Sequence, residues 1–251
     1  MAGHSKWKQI KHYKAATDAK RGALFTKLIR EITMAAKMGG GDPAGNARLR
    51  VAIEAGKAKS LPKENIDRAI KKGTGELESV DYQEVTYEGY GPGGVALIID
   101  ALTDNPTRTV ADVRHKMSRG GGNLGTPGSV SFMFEKKGQL TLDATRYRDE
   151  DATLEAALDA GAEDFQREDD DTYVVTTDPS AFHAVKSALE AKGIVPTESE
   201  LAMVPKNTVT VSGADVETLL KLIEAIEDLD DVQKVWANFE VDDAELEKLE
   251  D

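Results

Sequence analysis

The spacing of apolar residues changes character once along the chain, near residue 76. From Asp18 to Met38, Leu24, Leu28, Ile29, Ile32 and Ala36 recur every three or four positions, the period of a helix with one buried stripe, and Gly39-Gly40-Gly41 ends the run. Asp42-Pro43 reads as the opening of a second helix, with Asp as N-cap and Pro at the first position, and Leu49, Val51, Ile53 and Ala52 or Ala55 as its buried face. A third starts at Leu61-Pro62, carries Ile66, Ala69 and Ile70, and closes at Lys71-Lys72-Gly73, where Gly is expected to take the left-handed cap. Three helices with short connections predict a small bundle. Ahead of them, residues 2–14 have only a weak helical pattern and read as an arm that orders on binding.

Beyond residue 76 the period shortens. Val85–Tyr87, Val95–Ile99 and Val130–Phe134 read as strands, with a helix over Arg108–Met117. Residues 139–204 then spell strand (Leu140–Leu142), helix (Ala152–Ala160), strand (Ala162–Gln166), strand (Thr172–Thr177), helix (Pro179–Ala191) and strand (Ile194–Met203), which is the split β-α-β motif of a ferredoxin-like unit. Thr208–Val211, Ala214–Ile226 and Val232–Phe239 add strand, helix and strand. Joined to the elements of residues 95–134, they complete a second such set. The predicted fold is therefore α+β: a basic helical domain with its arm over 1–75, a discontinuous ferredoxin-like domain over 76–137 plus 205–240, a second ferredoxin-like domain inserted over 138–204, and an acidic tail over 241–251, read as a short helix or frayed end.

Composition narrows the chemistry. With 40% hydrophobic and 31% charged residues the chain has the make-up of a folded globular protein. It has no cysteine, which removes disulfides, thiolate nucleophiles and thiolate metal sites, and it shows neither a signal-peptide core nor an apolar run long enough for a membrane helix, so a cytoplasmic location is expected. The net charge of −13 hides an asymmetry: residues 1–75 hold twelve Lys and five Arg against six acidic residues, a net of +11, which leaves −24 for residues 76–251. Such a division suggests a polyanion-binding region joined to an acidic body.

Few motifs point to catalysis. Gly89-Tyr90-Gly91-Pro92-Gly93-Gly94 lacks the Lys-Ser/Thr of a phosphate loop and precedes a strand, so it reads as a turn with positive φ at several glycines. Gly120-Gly121-Gly122-Asn123-Leu124-Gly125-Thr126-Pro127-Gly128 offers a nest of backbone amides, but with no helix start behind it a connecting loop is the stronger reading. His4, His12, His115 and His183 share no metal-ligand spacing, and Glu168-Asp169-Asp170-Asp171 reads as a solvated hairpin tip. No cofactor, metal, catalytic residue or small-molecule substrate is predicted, and the expected protein is not an enzyme.

The arm carries the sharpest signal. In His4-Ser5-Lys6-Trp7-Lys8-Gln9-Ile10-Lys11-His12-Tyr13-Lys14, cations that can neutralise phosphates alternate with rings that can stack on unpaired bases; a packing role for Trp7 and Ile10 on the bundle stands beside that reading. Lys20, Arg21, Lys27 and Arg30 continue the charge along the first helix, with Arg48, Arg50, Lys57, Lys59, Lys63, Arg68, Lys71 and Lys72 beyond it. The candidate nucleic-acid-binding set is His4, Ser5, Lys6, Trp7, Lys8, Lys11, His12, Lys14, Lys20, Arg21, Lys27, Arg30, Arg48, Arg50, Lys71 and Lys72.

These segments resemble the YebC family over nearly the whole chain, through Met1–Trp7, Asp18-Ala19-Lys20-Arg21-Gly22, Phe25–Ile32, Gly39–Pro43, Pro62–Ile66, Ile70–Gly75, Tyr87–Gly94 and Gly121–Gly125. The resemblance implies a helical domain followed by two α/β domains. It also implies a regulator of gene expression, described either as a DNA-binding transcriptional regulator or as a ribosome-associated factor that relieves stalling at proline-rich stretches. The partner would be DNA or ribosomal RNA, with the ribosome itself a further partner. A protein-interaction scaffold using the acidic α/β domains is the alternative.

Overall fold

A computed structural model describes residues 18–78 and 80–242, with side chains from residue 21 onward. The arm and residues 243–251 of the acidic tail lie outside the described residues.

Among the described residues, three helices come first: α1 (Asp18–Gly39), α2 (Ala47–Ala58) and α3 (Lys63–Gly73). Their apolar stripes meet in one cluster that includes Ile32, Ala35, Leu49, Ile53, Ile66 and Ala69. Two of the expected ends differ. Asp42-Pro43 forms a turn in which the Asp42 side chain accepts from the Ala44 amide at 3.0 Å, and the cap of α2 is Asn46, whose side chain accepts from the Leu49 amide at 3.0 Å. Asn46 wins because its side-chain amide also donates to the Ala35 and Gly40 carbonyls, at 2.8 Å each, tying the start of α2 to the end of α1. At the end of α3 the left-handed glycine is Gly75 (φ 81°), not Gly73, which stays helical because a close crossing with α1 requires its missing side chain.

The remaining elements are β1 (Gln83–Tyr90), β2 (Ala96–Thr103), α4 (Pro106–Arg119), β3 (Asn123–Leu124), β4 (Phe134–Asp143), α5 (Glu150–Asp159), β5 (Asp164–Arg167), β6 (Thr172–Thr177), α6 (Phe182–Ala191), β7 (Glu198–Pro205), β8 (Val209–Val211), α7 (Ala214–Glu227), β9 (Val232–Ala237) and β10 (Phe239–Val241). The four strands of residues 134–205 form one antiparallel sheet in the order β5-β6-β4-β7. With α5 and α6 on one face, this is the ferredoxin-like arrangement, and its core gathers Leu140, Leu142, Tyr173, Val175, Val185 and Leu189. Glu168–Asp171 is the β5–β6 turn.

The central sheet runs β3-β1-β2-β9, antiparallel throughout. Its helices α4 and α7 flank the split β-α-β path as expected, but the strand roles are redistributed. Residues 130–134 do not supply a strand of this sheet: Ser131–Met133 is a single 3-10 turn and Phe134 begins β4 of the other sheet. The position beside β2 belongs to β1, while β8 pairs in parallel with β10 as a separate two-stranded ribbon.

The near-continuous apolar run of β2 has a structural cause. Leu97 and Ile99 point toward α4 and α7, joining Val113, Met117, Leu219 and Ile223. Ala96 and Ile98 point the other way and, with Trp236, pack on Phe134 and Ala202 at the two strands through which the chain enters and leaves the inserted unit. Both faces of the central sheet are thus covered, which removes the alternation of a one-sided strand.

Candidate nucleic-acid interface

The structure divides the cations of the N-terminal region into two groups. The first is turned into the chain. Arg30 on α1 meets Asp231, just ahead of β9, with Nη1 to Oδ1 at 2.7 Å, and it also donates to the Asp230 carbonyl. One turn earlier, Lys27 donates to the Glu227 carbonyl at the end of α7, where the helix dipole is negative. Arg48 on α2 holds Glu31 at 2.7 Å and Glu84 of β1 at 2.5 Å, bridging the bundle and the central sheet. Lys37 pairs with Asp81 in the connection.

Asp231 organises this joint. It is buried, with Arg30 on one carboxylate oxygen and, on the other, Arg108 at 2.8 Å and the hydroxyls of Thr109 at 2.6 Å and Thr103 at 3.2 Å. Burial pushes its pKa up, but the hydrogen bonds from Thr109 and Arg108 and the charges of Arg30 and Arg108 outweigh that and hold it below the usual carboxylate range.

The second group faces outward. Arg21 lies over the Phe25 ring at 5.4 Å, and Arg50, exposed on α2, donates to the Pro43 carbonyl at 2.9 Å. Lys57, Lys59, Lys63, Arg68, Lys71 and Lys72 have no carboxylate partner among the described residues. They lie on the outer sides of α2 and α3 and the turn between them, because Leu49, Ile53, Ile66 and Ala69 occupy the inner sides. Lys20 belongs to the first turn of α1; His4, Ser5, Lys6, Trp7, Lys8, Lys11, His12 and Lys14 lie outside the described residues.

The glycine-rich segments find internal uses. Gly93 and Gly94 take φ of 70° and 75° in the turn between β1 and β2. An anion nest does form, at the last glycine of the second loop and just beyond it rather than along the loop, and the anion is the protein's own: Glu88 of β1, 8% exposed, accepts from the amides of Gly128 at 2.8 Å, Val130 at 2.7 Å and Ser131 at 2.8 Å. Burial raises the Glu88 pKa, but these three donors prevail and hold it below the ordinary range. They also explain the missing strand, since amides committed to Glu88 cannot enter a ladder. Nothing in the spacing of Glu88 from Gly128 pointed to this anchor.

No helix among the described residues is long and apolar enough to cross a membrane, and no group of His, Asp or Glu among them is placed to hold a metal ion.

The geometry can be set beside known proteins. Residues 5–76 match the model of the TACO1/YebC protein N-terminal domain, and residues 82–239 match that of the TACO1/YebC second and third domain. The chain belongs to the TACO1/YebC family. A relative from Gemmatimonas aurantiaca, named a probable transcriptional regulatory protein, is 65% identical over 97% of this chain and 98% of its own length. One from Acidithiobacillus ferrooxidans, with the same name, is 56% identical over 100% of this chain and 99% of its own. In the crystal structure of a conserved hypothetical protein from Aquifex aeolicus the family fold recurs with a TM-score of 0.83 and 46% identity, covering 92% of this chain and 94% of that one.

Proposed function

We propose that this TACO1/YebC-family protein is a non-enzymatic, cytoplasmic regulator of gene expression that binds nucleic acid through residues 1–75. The observation that carries the reading is the contrast in charge pairing: among the described residues, the outward cations of α2 and α3 stand without carboxylate partners, although the chain as a whole is rich in acidic groups. Phosphate neutralisation is the chemistry such a surface performs, with affinity set largely by counterion release. The contact combines the arm (His4, Ser5, Lys6, Trp7, Lys8, Lys11, His12, Lys14) with Lys20, Arg21, Arg50, Lys71 and Lys72. Lys27, Arg30 and Arg48 serve it from behind by fixing the bundle on the central domain. The working units of this reading are 1–75, 76–137 plus 205–240, the inserted 138–204 and the tail 241–251, with β4, β7 and β10 running across the boundaries at 137/138, 204/205 and 240/241.

The relatives' name favours a transcriptional role on DNA. A second reading, ribosome-associated action on RNA, is favoured by the arm, whose Trp7, His12 and Tyr13 alternate with lysines in the manner suited to stacking on unpaired bases. Co-sedimentation with purified ribosomes and titration of duplex DNA, each over a salt series, separate the two. In both, the parent is compared with a Lys6→Ala, Trp7→Ala, Lys11→Ala variant and an Arg50→Gln, Lys71→Gln, Lys72→Gln variant. Salt-sensitive binding that both variants weaken supports the interface, and the ligand that gives it names the partner; binding to neither, or binding unaffected by either variant, overturns it.

A further inference from the structure

The Asp231 joint is also where a second run of cations begins. Residues 76–251 hold 15 Lys and Arg, and four of them, Arg108, Arg114, Lys116 and Arg119, fall on the single helix α4 with Asp112 as its only acidic residue. The inner side of α4 is Thr109, Val113 and Met117. At 100° per residue, Arg108, His115 and Arg119 therefore share the outer side, with Arg114 and Lys116 on its two flanks. Arg108 is committed to Asp104 and Asp231. Arg114, Lys116 and Arg119 have no carboxylate partner among the described residues. Elsewhere among the described residues of this acidic half, Lys137, Arg167, Lys186, Lys192, Lys221 and Lys234 form ion pairs, while Lys136, Arg146, Arg148 and Lys206 do not but are spread over three separate segments, so α4 is the one element that gathers several such cations. Lys116 and Arg119 also suit the negative end of the helix, a role that accounts for neither Arg114 nor the shortage of acids along the rest of α4.

We propose that α4 is a second nucleic-acid contact, continuous with the N-terminal one and bound to the same strand. The inference rests on the nucleic-acid reading and extends it. Continuity comes from the shared carboxylate: Asp231 holds Arg30 of α1 on one oxygen and Arg108 of α4 on the other, so α4 departs from the seam of the basic bundle. A helix of 14 residues reaches about 20 Å from that seam. A phosphate backbone carries a charge every ~3.4 Å along a strand, so one that lies on the bundle and follows the outer side of α4 meets Arg119 there and is reached by Arg114 from one flank and Lys116 from the other, whereas a small anion reaches only one of these places.

The test uses the full chain and a fluorescent single-stranded RNA, repeated with a DNA duplex, with affinity measured against salt. For an Arg114→Gln, Lys116→Gln, Arg119→Gln variant, the slope of log affinity against log salt on RNA should fall in magnitude by about 2, the loss of three phosphate contacts at ~0.7 each. An Asp112→Asn variant should bind more tightly than the parent, an effect that damage to the fold does not produce. If the parent binds, the N-terminal variants weaken it, and both α4 variants keep the parental slope and affinity, the second contact is overturned and the first stands. A parent that binds neither probe overturns both.

Discussion

Two buried carboxylates carry the most consequential single-residue chemistry in this molecule. Asp231 satisfies two guanidinium groups and two hydroxyls, so Asp231→Ala strands Arg30 without a counter-charge and leaves Thr109 only the Asn105 carbonyl and the Thr103 hydroxyl. The expected cost is about 3 to 5 kcal/mol, read as a shift in the urea midpoint, because removing one member of a buried pair leaves the other uncompensated. Glu88→Ala leaves the three amides of Gly128, Val130 and Ser131 to find new partners, at about 1 to 3 kcal/mol for each that stays buried and unpaired. Both carboxylates titrate below their ordinary values in the folded protein. The unfolded chain therefore binds more protons in the acid range, and the stabilisation from both groups is fully present above the unfolded values of about 4 and is lost as pH falls through the lower folded ones. Thermal midpoints measured downward from pH 6 should fall below about pH 4, and fall less steeply in an Asp231→Asn, Glu88→Gln double variant. Neither partner set was legible beforehand. A carboxylate in a strand or a loop looks the same in sequence whether it faces water or three amides.

At the scale of elements, helices were read more accurately than strands. The apolar stripes of α1, α2 and α3 mark their buried sides, and α4 and α7 begin and end within a few residues of expectation, because a helix closes its hydrogen bonds locally. Its ends are harder: Asp42 and Asn46 are both good caps, and Asn46 prevails through contacts to α1. Gly73 makes the same point. A methyl group there would stand 2.3 Å from the Thr33 carbonyl oxygen and 2.7 Å from the Ala36 Cβ, so Gly73→Ala should destabilise the bundle by about 1 to 3 kcal/mol despite the better helix propensity of alanine, a sign reversal that thermal unfolding reads directly. Strand identity depended on distant partners. Val130–Phe134 has the apolar content of a strand, yet its amides are drawn to Glu88, and β1 takes the place beside β2.

For the whole molecule, the division of charge and the docking of the three parts decide behaviour together. The inserted unit is anchored on the central sheet by Phe134, Ala202 and Trp236, whose indole donates to Asp100 at 2.9 Å. Trp236→Ala should cost about 3 to 5 kcal/mol and raise hydrogen exchange first along β4 and β7, where the unit joins. The bundle is held by charge instead, through Arg30, Lys27 and Arg48, so its docking should weaken with salt more than that of the inserted unit does. Limited proteolysis between residues 74 and 82 at rising ionic strength measures that difference.

Local pattern by itself determined the helical bundle, the ferredoxin-like order of residues 139–204, the fold class and the concentration of positive charge in residues 1–75, since each is written in period or count. Tertiary structure decided which cations of that region are turned inward, which strand neighbours β2 and what occupies the amide nest. Arg30 and Asp231 are 201 residues apart, and Glu88 lies 40 residues from Gly128. Period and composition report how a segment presents itself to its surroundings, whereas a buried ion pair or amide nest is settled only when folding brings distant groups together and excludes water from between them.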